Sequence, residues 1–485
     1  MLVSLYTVRV VLNTLGVRDY GIYNVVAGVV TMFGFLSGAM ATASQRYFSF
    51  ELGRGDFEQL KKLFCLSLII YALIAAVVLL LSETLGLWFV SNKLVIPVER
   101  KAPALWVYQF SAISFLFTLL TAPYMAMIIA HEDMKIYAYI SIVEVLLRLG
   151  TIFILRFILW DKLIVYGMLM LIVTAINTSA YRIICNKKYP ECAFSFYWNK
   201  GLFKEITSYT GWNLFGASAG VFKNQIMNIL LNQFFNPIVV AARSIAAMTE
   251  NATTSFSQNF NTAMRPQLIK CYAAGEKEEM LSLMFRGSKG TYLLVYLFVL
   301  PFVLEMPMVL TLWLKNPPEY AVLFTRLALF DVLVNSVSFP LMTAAQATGR
   351  IKLYQSVVGG ILLLNVPVAW IILFMGAPAY SIMIVSIIFT CIANIVRLFI
   401  LKQLIDYSVW QFIKTVYIPV SVISAASAVI PVMCFYFLAQ NIVRLCLVMV
   451  LSIISAGVHS YFIALNKNER RKVRSVISKY CFKEN

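Results

Sequence analysis

The strongest constraint on this chain is the recurrence, through nearly its whole length, of apolar runs with few charges. A helix needs only about 20 such residues to cross a hydrocarbon core of about 30 Å. With 61% hydrophobic and 13% charged positions over 485 residues, the chain far exceeds the roughly half apolar, quarter charged composition of soluble domains. No soluble core could hide that surface, so the sequence predicts an all-α polytopic membrane protein.

Apolar runs and their interruptions place spans near 1–15, 20–45, 64–90, 104–130, 136–160, 163–185, 207–235, 238–262, 288–314, 320–346, 351–375, 379–401, 416–439 and 441–465, about 14 transmembrane helices. The first is short: fifteen residues at about 1.5 Å each reach roughly 22 Å. Either that helix starts below the interface or a leading segment precedes Met1. No cleavable signal peptide is expected, because Met1 leads straight into an apolar stretch without a small-residue cleavage site.

The net charge of +18 would suggest nucleic acid in a soluble protein. Here it reports topology. Loops after even-numbered spans, together with the tail, hold 27 Lys and Arg, against six after odd-numbered spans (Arg18, Lys93, Arg100, Lys101, Lys162 and Lys315). Basic loops stay in the cytoplasm, which places both termini there. Arg397, Lys402 and Lys414 are counted among the cytoplasmic loop charges. The eight cysteines contain no CxxC pair, and neither a structural disulfide nor a metal site is expected.

The chain also repeats itself. Gly55-Asp56 is matched by Gly275-Glu276, Leu63 by Leu283, and Leu87-Trp88 by Leu312-Trp313, while Pro123, Met125, Lys135 and Tyr137 return as Pro340, Met342, Lys352 and Tyr354. Each copy holds six spans, an even number, so both halves sit the same way up, the parallel-repeat arrangement with a substrate site between halves. The predicted divisions are an N-lobe over 1–190, an amphipathic linker and C-lobe over 191–402, and two extra helices with a basic tail over 403–485. In the linker, Lys187, Lys188, Lys200 and Lys204 mix with Phe194, Phe196, Tyr197, Trp198 and Phe203, a composition suited to the membrane surface. The basic tail from Asn466 suits either an anionic lipid surface or an orientation signal.

Charges within spans are costly, at least about 2.5 kcal/mol each at mid-membrane, and so are functional candidates. The cations are Arg9, Arg148, Arg156, Lys223, Arg243, Arg326 and Arg444. Arg156, Arg326 and Arg444 lie near span ends, where snorkelling accounts for them. Arg9 and Lys223 occupy corresponding helices of the two copies. The acids are Glu83, Glu144, Glu250, Glu305 and Asp331. Glu144 and Arg148, four apart, form a local ion pair or meet substrate. Arg243 and Glu250, seven apart, are expected to be too distant for a tight pair, leaving Arg243 to meet a ligand. Glu250, Asp331 and Glu144 are candidates for carrying a coupling proton or sodium ion, with pairing to a neighbouring helix the equal alternative. Spans seven and eight are dense in amides and hydroxyls, including Asn213, Asn224, Asn228, Asn251, Ser255 and Gln258. Lipid cannot satisfy these groups, so they line a wet cavity or bond between helices. A positive, amide-rich cavity suits phosphate and sugar hydroxyls.

Enzymatic signatures are absent: there is no P-loop, no GxSxG, and His131 and His459 are the only histidines. The sequence therefore predicts a non-enzyme that needs no cofactor.

The LGVRDYGIYNVV stretch after the first span, QRYFSFELGRGD closing the second, the span count and the six-plus-six repeat resemble the polysaccharide-export flippases of the MATE-like (MOP) superfamily, above all the O-antigen (Wzx-type) flippase. The resemblance implies two rocking lobes that move an undecaprenyl-diphosphate-linked oligosaccharide to the periplasmic leaflet. It implies intramembrane cations in a central cavity, here Arg9, Lys223 and Arg243 with Arg148. Arg46 and Arg265, at corresponding ends of the second and eighth spans, would capture diphosphate at the mouth. Partners would be membrane lipids, glycosyltransferases and a polysaccharide polymerase, with no nucleic acid, and the transporter would act as a monomer. A MATE-type exporter of organic cations would share the fold but present acids and aromatics. A polytopic polymerase or acyltransferase would need a large loop or a catalytic histidine.

Overall fold

The computed structural model describes residues 2–464 and Arg470, apart from Met32, Val95 and Asn236, and gives only the backbone of residues 2–10, 12, 13, 17, 31, 35, 156 and 237. The basic tail therefore lies almost wholly outside the described residues. Among those described, the chain is helical throughout, without a strand. Among the described residues, nine helices are long and apolar enough to cross a membrane, or ten if one bent pair counts as a span.

In chain order the helices are α1 (Leu2–Thr31), α2 (Gly34–Arg54), α3 (Phe57–Leu81), α4 (Leu87–Asn92), α5 (Lys101–Ala130), α6 (Met134–Phe157), α7 (Lys162–Lys188), α8 (Lys200–Phe234), α9 (Pro237–Ala273), α10 (Lys277–Leu314), α11 (Ala321–Ser336), α12 (Ser338–Ala347), α13 (Ile351–Phe374), α14 (Ser381–Ile405), α15 (Val409–Phe412), α16 (Ile418–Phe437) and α17 (Ile442–His459). The predicted first two spans become α1, broken at Gly16 (φ 79°, ψ 163°), followed by α2. The predicted tenth span is the pair α11 and α12, bent by 40°. Packing divides the chain into two compact units, Met1–Ala217 and Ser218–Asn485, and the division falls inside α8.

Each unit has its own apolar core. In the first unit, Val26, Val107, Tyr108, Leu155 and Leu163 are buried together. In the second, Leu231, Ala242, Val295, Phe324, Ala369 and Ile382 pack in one cluster. A five-residue π-helical turn, Ser82–Gly86, joins α3 to α4. Its Ser82 carbonyl accepts from the Leu87 N–H and from the Tyr108 hydroxyl, the latter at 2.7 Å, and a Cβ at Gly86 would stand 2.0 Å from the hydroxyl oxygen of Tyr108. Glycine is what lets the tyrosine reach the bulge.

The repeat is visible in the turns. Gly55 (φ 74°) and Gly275 (φ 79°) each end a helix in the left-handed conformation. Around Gly55, Asp56 N–H donates back to Glu51 O; around Gly275, Glu276 N–H donates to Cys271 O, the Schellman arrangement in both copies. Glu132 (φ 64°) and Gly349 (φ 74°), 217 residues apart like Lys135 and Lys352, form a second such pair.

Prolines within helices leave carbonyls four residues back without a donor, and side chains fill them. Pro307 in α10 frees Val303 O, which accepts from Arg326 Nε at 2.8 Å, with Leu304 O taking Arg326 Nη2 at 3.2 Å. Pro431 in α16 frees Ser427 O, which accepts from Ser455 Oγ of α17 at 2.9 Å. At the same break in α10, Glu305 leaves helical geometry (φ −95°, ψ 17°) and is fully buried. It pairs with Arg444 of α17: Nη2 donates to Oε2 at 2.9 Å and Nε lies 2.7 Å from Oε1. Neither arginine snorkels. Arg326 is spent on α10's backbone, and Arg444, 7% exposed, fastens α17 to α10. The side chain of Arg156 is not described.

The segment between α7 and α8 is clasped to the first unit. Lys188 Nζ donates to Asp133 at 2.8 Å, and the Tyr189 hydroxyl donates to the same carboxylate. His131 pairs with Glu191 at 2.6 Å, and Ser195 N–H donates to Cys65 Sγ at 3.3 Å. Burial raises the Asp133 carboxyl, but the hydrogen bonds from Lys188 and Tyr189 outweigh it and hold its pKa below the ordinary value. Phe194, Phe196 and Trp198 stay exposed beyond the clasp.

Removing one member of a buried ion pair strands the other. Glu305→Ala is expected to destabilise the protein by about 3 kcal/mol, measured as a fall in thermal midpoint in detergent. The paired replacement Glu305→Leu with Arg444→Leu should recover most of that loss. A single mutant as stable as the parent would refute this account of the α10–α17 junction.

Candidate functional site

α8, α9, α11 and α14 enclose a polar pocket inside the second unit. Its walls carry Lys223 and Asn224 from α8, Arg243 and Glu250 from α9, Asp331 from α11, and Ser386 from α14. Met227, Ile382 and Met383 supply apolar backing. The cavity volume open to a water is about 10 Å³, room for about one water. That volume fits a water or a small ion and excludes both a diphosphate and a whole oligosaccharide.

Arg243 and Glu250 do meet. Arg243 Nη1 donates to Glu250 Oε2 at 3.3 Å, which corrects the expectation that seven residues of separation keep them apart. Two turns of helix separate the backbones by about 10.5 Å, and two long side chains reaching along the axis close that gap. Arg243 Nε is nevertheless buried without a partner. Asp331 Oδ2 accepts from Ser386 Oγ at 3.2 Å, while its Oδ1 is buried and unpartnered. Lys223, half-buried, has no acid within 4 Å among the described residues. Two cations and two acids thus line a pocket that is formally neutral, with unfilled bonding capacity on both signs.

The helices around it are polar for a reason. On α9, Thr253, Ser257 and Asn261 recur every four residues and are buried, and Asn261 Oδ1 accepts from Thr343 of α12 at 3.3 Å. The other face of α9 carries Asn251, Ser255, Gln258 and Asn259, all exposed. Lipid cannot serve such a face. The buried side bonds between helices through Asn261 and Thr343.

The remaining predicted residues fall as follows. Asn228 lies one turn beyond Asn224 and does not line the pocket. Arg148 is held by Glu144 through Nε at 3.1 Å and Nη2 at 2.6 Å, and Asn177 donates to the same carboxylate at 3.0 Å, so the local ion pair is the arrangement found. Arg46 is buried in the first unit with its guanidinium 4.7 Å from the Tyr47 and Phe50 ring centres and 5.7 Å from that of Tyr209. Arg265 is half-buried and engaged within the fold. The side chain of Arg9 lies outside the described residues. Asp19, within the LGVRDYG stretch, binds Arg100 at 2.8 Å, and Arg100 also grips Asp161, which caps α7. That stretch therefore carries a structural clamp. Cys271, Glu276 and Glu279 come near one another at the Gly275 turn, an exposed acidic grouping without a further ligand signal.

One cation was misplaced by sequence. Arg397, assigned above to a loop, is inside α14 and 8% exposed. Its Nη1 donates to Asn394 Oδ1 at 2.7 Å and Asn335 Oδ1 at 3.2 Å, and its Nε is buried without a partner. The apolar residues on both sides of it, in IANIVRLFIL, were the signal for a residue inside the helix.

No family model matches this sequence, and no curated protein matches it. Solved structures do match its fold. An outward-facing multidrug resistance MATE family transporter of the MOP superfamily superposes with a TM-score of 0.72 at 14% identity, over 84% of this chain and 92% of that one. A MOP superfamily transporter from Pyrococcus furiosus, described as having a binding pocket of reverse polarity that suggests a different function, gives 0.69 at 13% identity, over 84% and 92%. A mutant of a Vibrio cholerae MATE transporter gives 0.63 at 16% identity, over 83% and 92%.

If the pocket is wet, a thiol in place of Lys223 should be reached from water. In a background without the native cysteines, Lys223→Cys is expected to react with a charged, water-soluble thiol reagent. Ala246→Cys, at a position buried in the apolar core, should resist it. Equal protection at both positions would refute a hydrated pocket. Taken together, the architecture and its neighbours make this chain an all-α multi-pass membrane protein with the fold of the MATE transporters.

Proposed function

We propose that the protein is an ion-coupled flippase that moves an undecaprenyl-diphosphate-linked oligosaccharide from the cytoplasmic to the periplasmic leaflet, for O-antigen, capsule or exopolysaccharide assembly. The observation that carries this reading is Lys223, a half-buried cation in a polar pocket with no acid within 4 Å among the described residues. An ammonium in that setting is a point charge suited to phosphate, and Asn224 beside it offers both donors and acceptors. The space between these side chains admits a water or a small ion, so the helices would have to part for the diphosphate to reach Lys223. The sugars would lie along amide-rich surface such as the exposed face of α9, where Asn251, Gln258 and Asn259 can meet hydroxyls.

Glu250 and Asp331 would carry the coupling cation. Because the pocket is formally neutral, a cation taken up by these acids leaves it net positive and strengthens its hold on diphosphate. By linkage the diphosphate strengthens cation binding by the same factor. A second reading, an ion-coupled exporter of organic cations, is favoured by those same two acids, and the multidrug transporters of like fold support it.

The two readings separate in proteoliposomes. Lys223→Ala and Arg243→Ala are expected to cut translocation of a lipid-linked oligosaccharide at least about tenfold, the effect of losing about 1.4 kcal/mol of transition-state binding, with membrane insertion unchanged. Wild-type translocation in both variants would refute the cationic site. Uptake of organic cations that requires Glu250 and Asp331, with no translocation of glycan lipid, would establish the exporter instead.

A further inference from the structure

A buried polar seam leads away from the pocket between α11 and α14, and it ends on a positive charge that no acid neutralises. On α14, Ser386, Thr390, Asn394 and Arg397 fall within one arc of the helix, and all four are buried. Their spacing of four, four and three residues covers about 16 Å of helix. Ser386 meets Asp331 at 3.2 Å, Asn394 Nδ2 donates to Val334 O at 2.9 Å, and Arg397 joins Asn394 to Asn335. The hydroxyls and amides form a row of polar side chains on a helix that is otherwise almost wholly apolar, bonded to α11 at each end of the row and bridged by Thr390 between. The row starts at the acid of the pocket and runs toward the end of α14 that carries Lys402.

Arg397 stands at the far end of that line. It donates to two neutral amide oxygens, and no carboxylate lies within 4 Å among the described residues. The hydroxyls of Tyr354 and Tyr417, both neutral, lie near the guanidinium, and Arg397 Nε is buried without a hydrogen-bond partner. A buried charge left uncompensated is costly to hold, whereas Arg326 and Arg444 in the same unit are matched to carbonyls or to Glu305. A guanidinium also stays charged at any physiological pH. A fixed cation in a narrow polar path is a barrier to protons and metal cations.

We propose that Arg397 is the electrostatic stop of this seam. It bars cations at the basic-loop end from reaching Glu250 and Asp331 along the α11–α14 path, so that the acids exchange their coupling ion without a leak. The inference rests on the reading of those acids as the cation carriers and is separate from the identity of the transported lipid.

The test is passive cation entry into liposomes holding the purified protein, followed with an enclosed proton- or sodium-sensitive dye and no transported substrate. Arg397→Gln is expected to raise entry roughly tenfold, equivalent to a barrier lower by about 1.4 kcal/mol, while Arg397→Lys stays near wild type. Asn394→Asp sets a carboxylate against the guanidinium without removing it, and should produce the same leak even if Arg397→Gln fails to fold. Adding Asp331→Asn to either leaking variant should return entry to background. Tight liposomes for both Arg397→Gln and Asn394→Asp, with unchanged melting temperatures, would overturn the proposal, as would a leak indifferent to Asp331. Failure of the wild type to move glycan lipid would overturn the flippase reading and leave this result standing.

Discussion

Hydrocarbon offers no partner to a polar group, and most of the second unit's internal arrangement follows from that. A carbonyl or charge that water would satisfy elsewhere must here find a donor or counter-ion within the protein, at a cost of several kcal/mol if it does not. The kink in α10 shows the constraint at work. Pro307 removes a donor, Glu305 leaves the helical conformation, and two arginines from α11 and α17 converge to take up Val303 O, Leu304 O and the Glu305 carboxylate. The same logic joins α16 to α17 through Ser455 and Ser427 O. Proline-made vacancies in one helix thus become the attachment points of another. Helices α16 and α17, outside the sequence repeat, are held on the second unit by polar contacts as well as by packing.

That constraint also separates the charges. Glu305 and Arg444 sit in close contact, with nitrogen–oxygen distances of 2.9 and 2.7 Å. Glu144 and Arg148 do the same on α6. Around the pocket the matching is incomplete: Arg243 and Glu250 touch at 3.3 Å, Asp331 keeps a buried oxygen unpartnered, and Lys223 has no acid within 4 Å among the described residues. Incomplete matching has a cost in stability, and functional sites are where such costs are retained. The contrast within one unit, between a closed pair and an open quartet, is stronger ground for a site than the presence of charge itself.

Much of the fold was legible because its signals are local. Apolar runs fixed the existence of the helices, and the Gly-Asp and Gly-Glu turns fixed the repeat, since only glycine is at ease in the left-handed cap that both copies need. Glu132 and Gly349 show the limit: the turn is shared but the residue is not, so the eye passes over it. The misreadings came from treating helix contacts as a matter of backbone spacing. Arg243 and Glu250 span two turns with their side chains. Arg326 and Arg444, close to span ends, turn inward to partners contributed by α10. Arg397 lies close enough to Lys402 to look like part of a basic loop, and only the packing of α11 against α14 shows that it is interior.

Identities of 13–16% alongside TM-scores of 0.63–0.72 make the division of labour concrete. A helix in lipid needs apolar residues and satisfied kinks, conditions that many sequences meet, so the architecture survives near-complete replacement. What a fold of this kind carries must then be argued from its site. The likeness extends to a multidrug transporter and to one described as having reversed pocket polarity, so the sign and pairing of charge in the pocket discriminate where the fold does not. This pocket holds both signs, and its free ammonium and free carboxylate oxygen stand on different helices, α8 and α11. Under the proposed function, an anion held at one wall and a cation at the other would be coupled, because each ligand would remove the electrostatic penalty on the other.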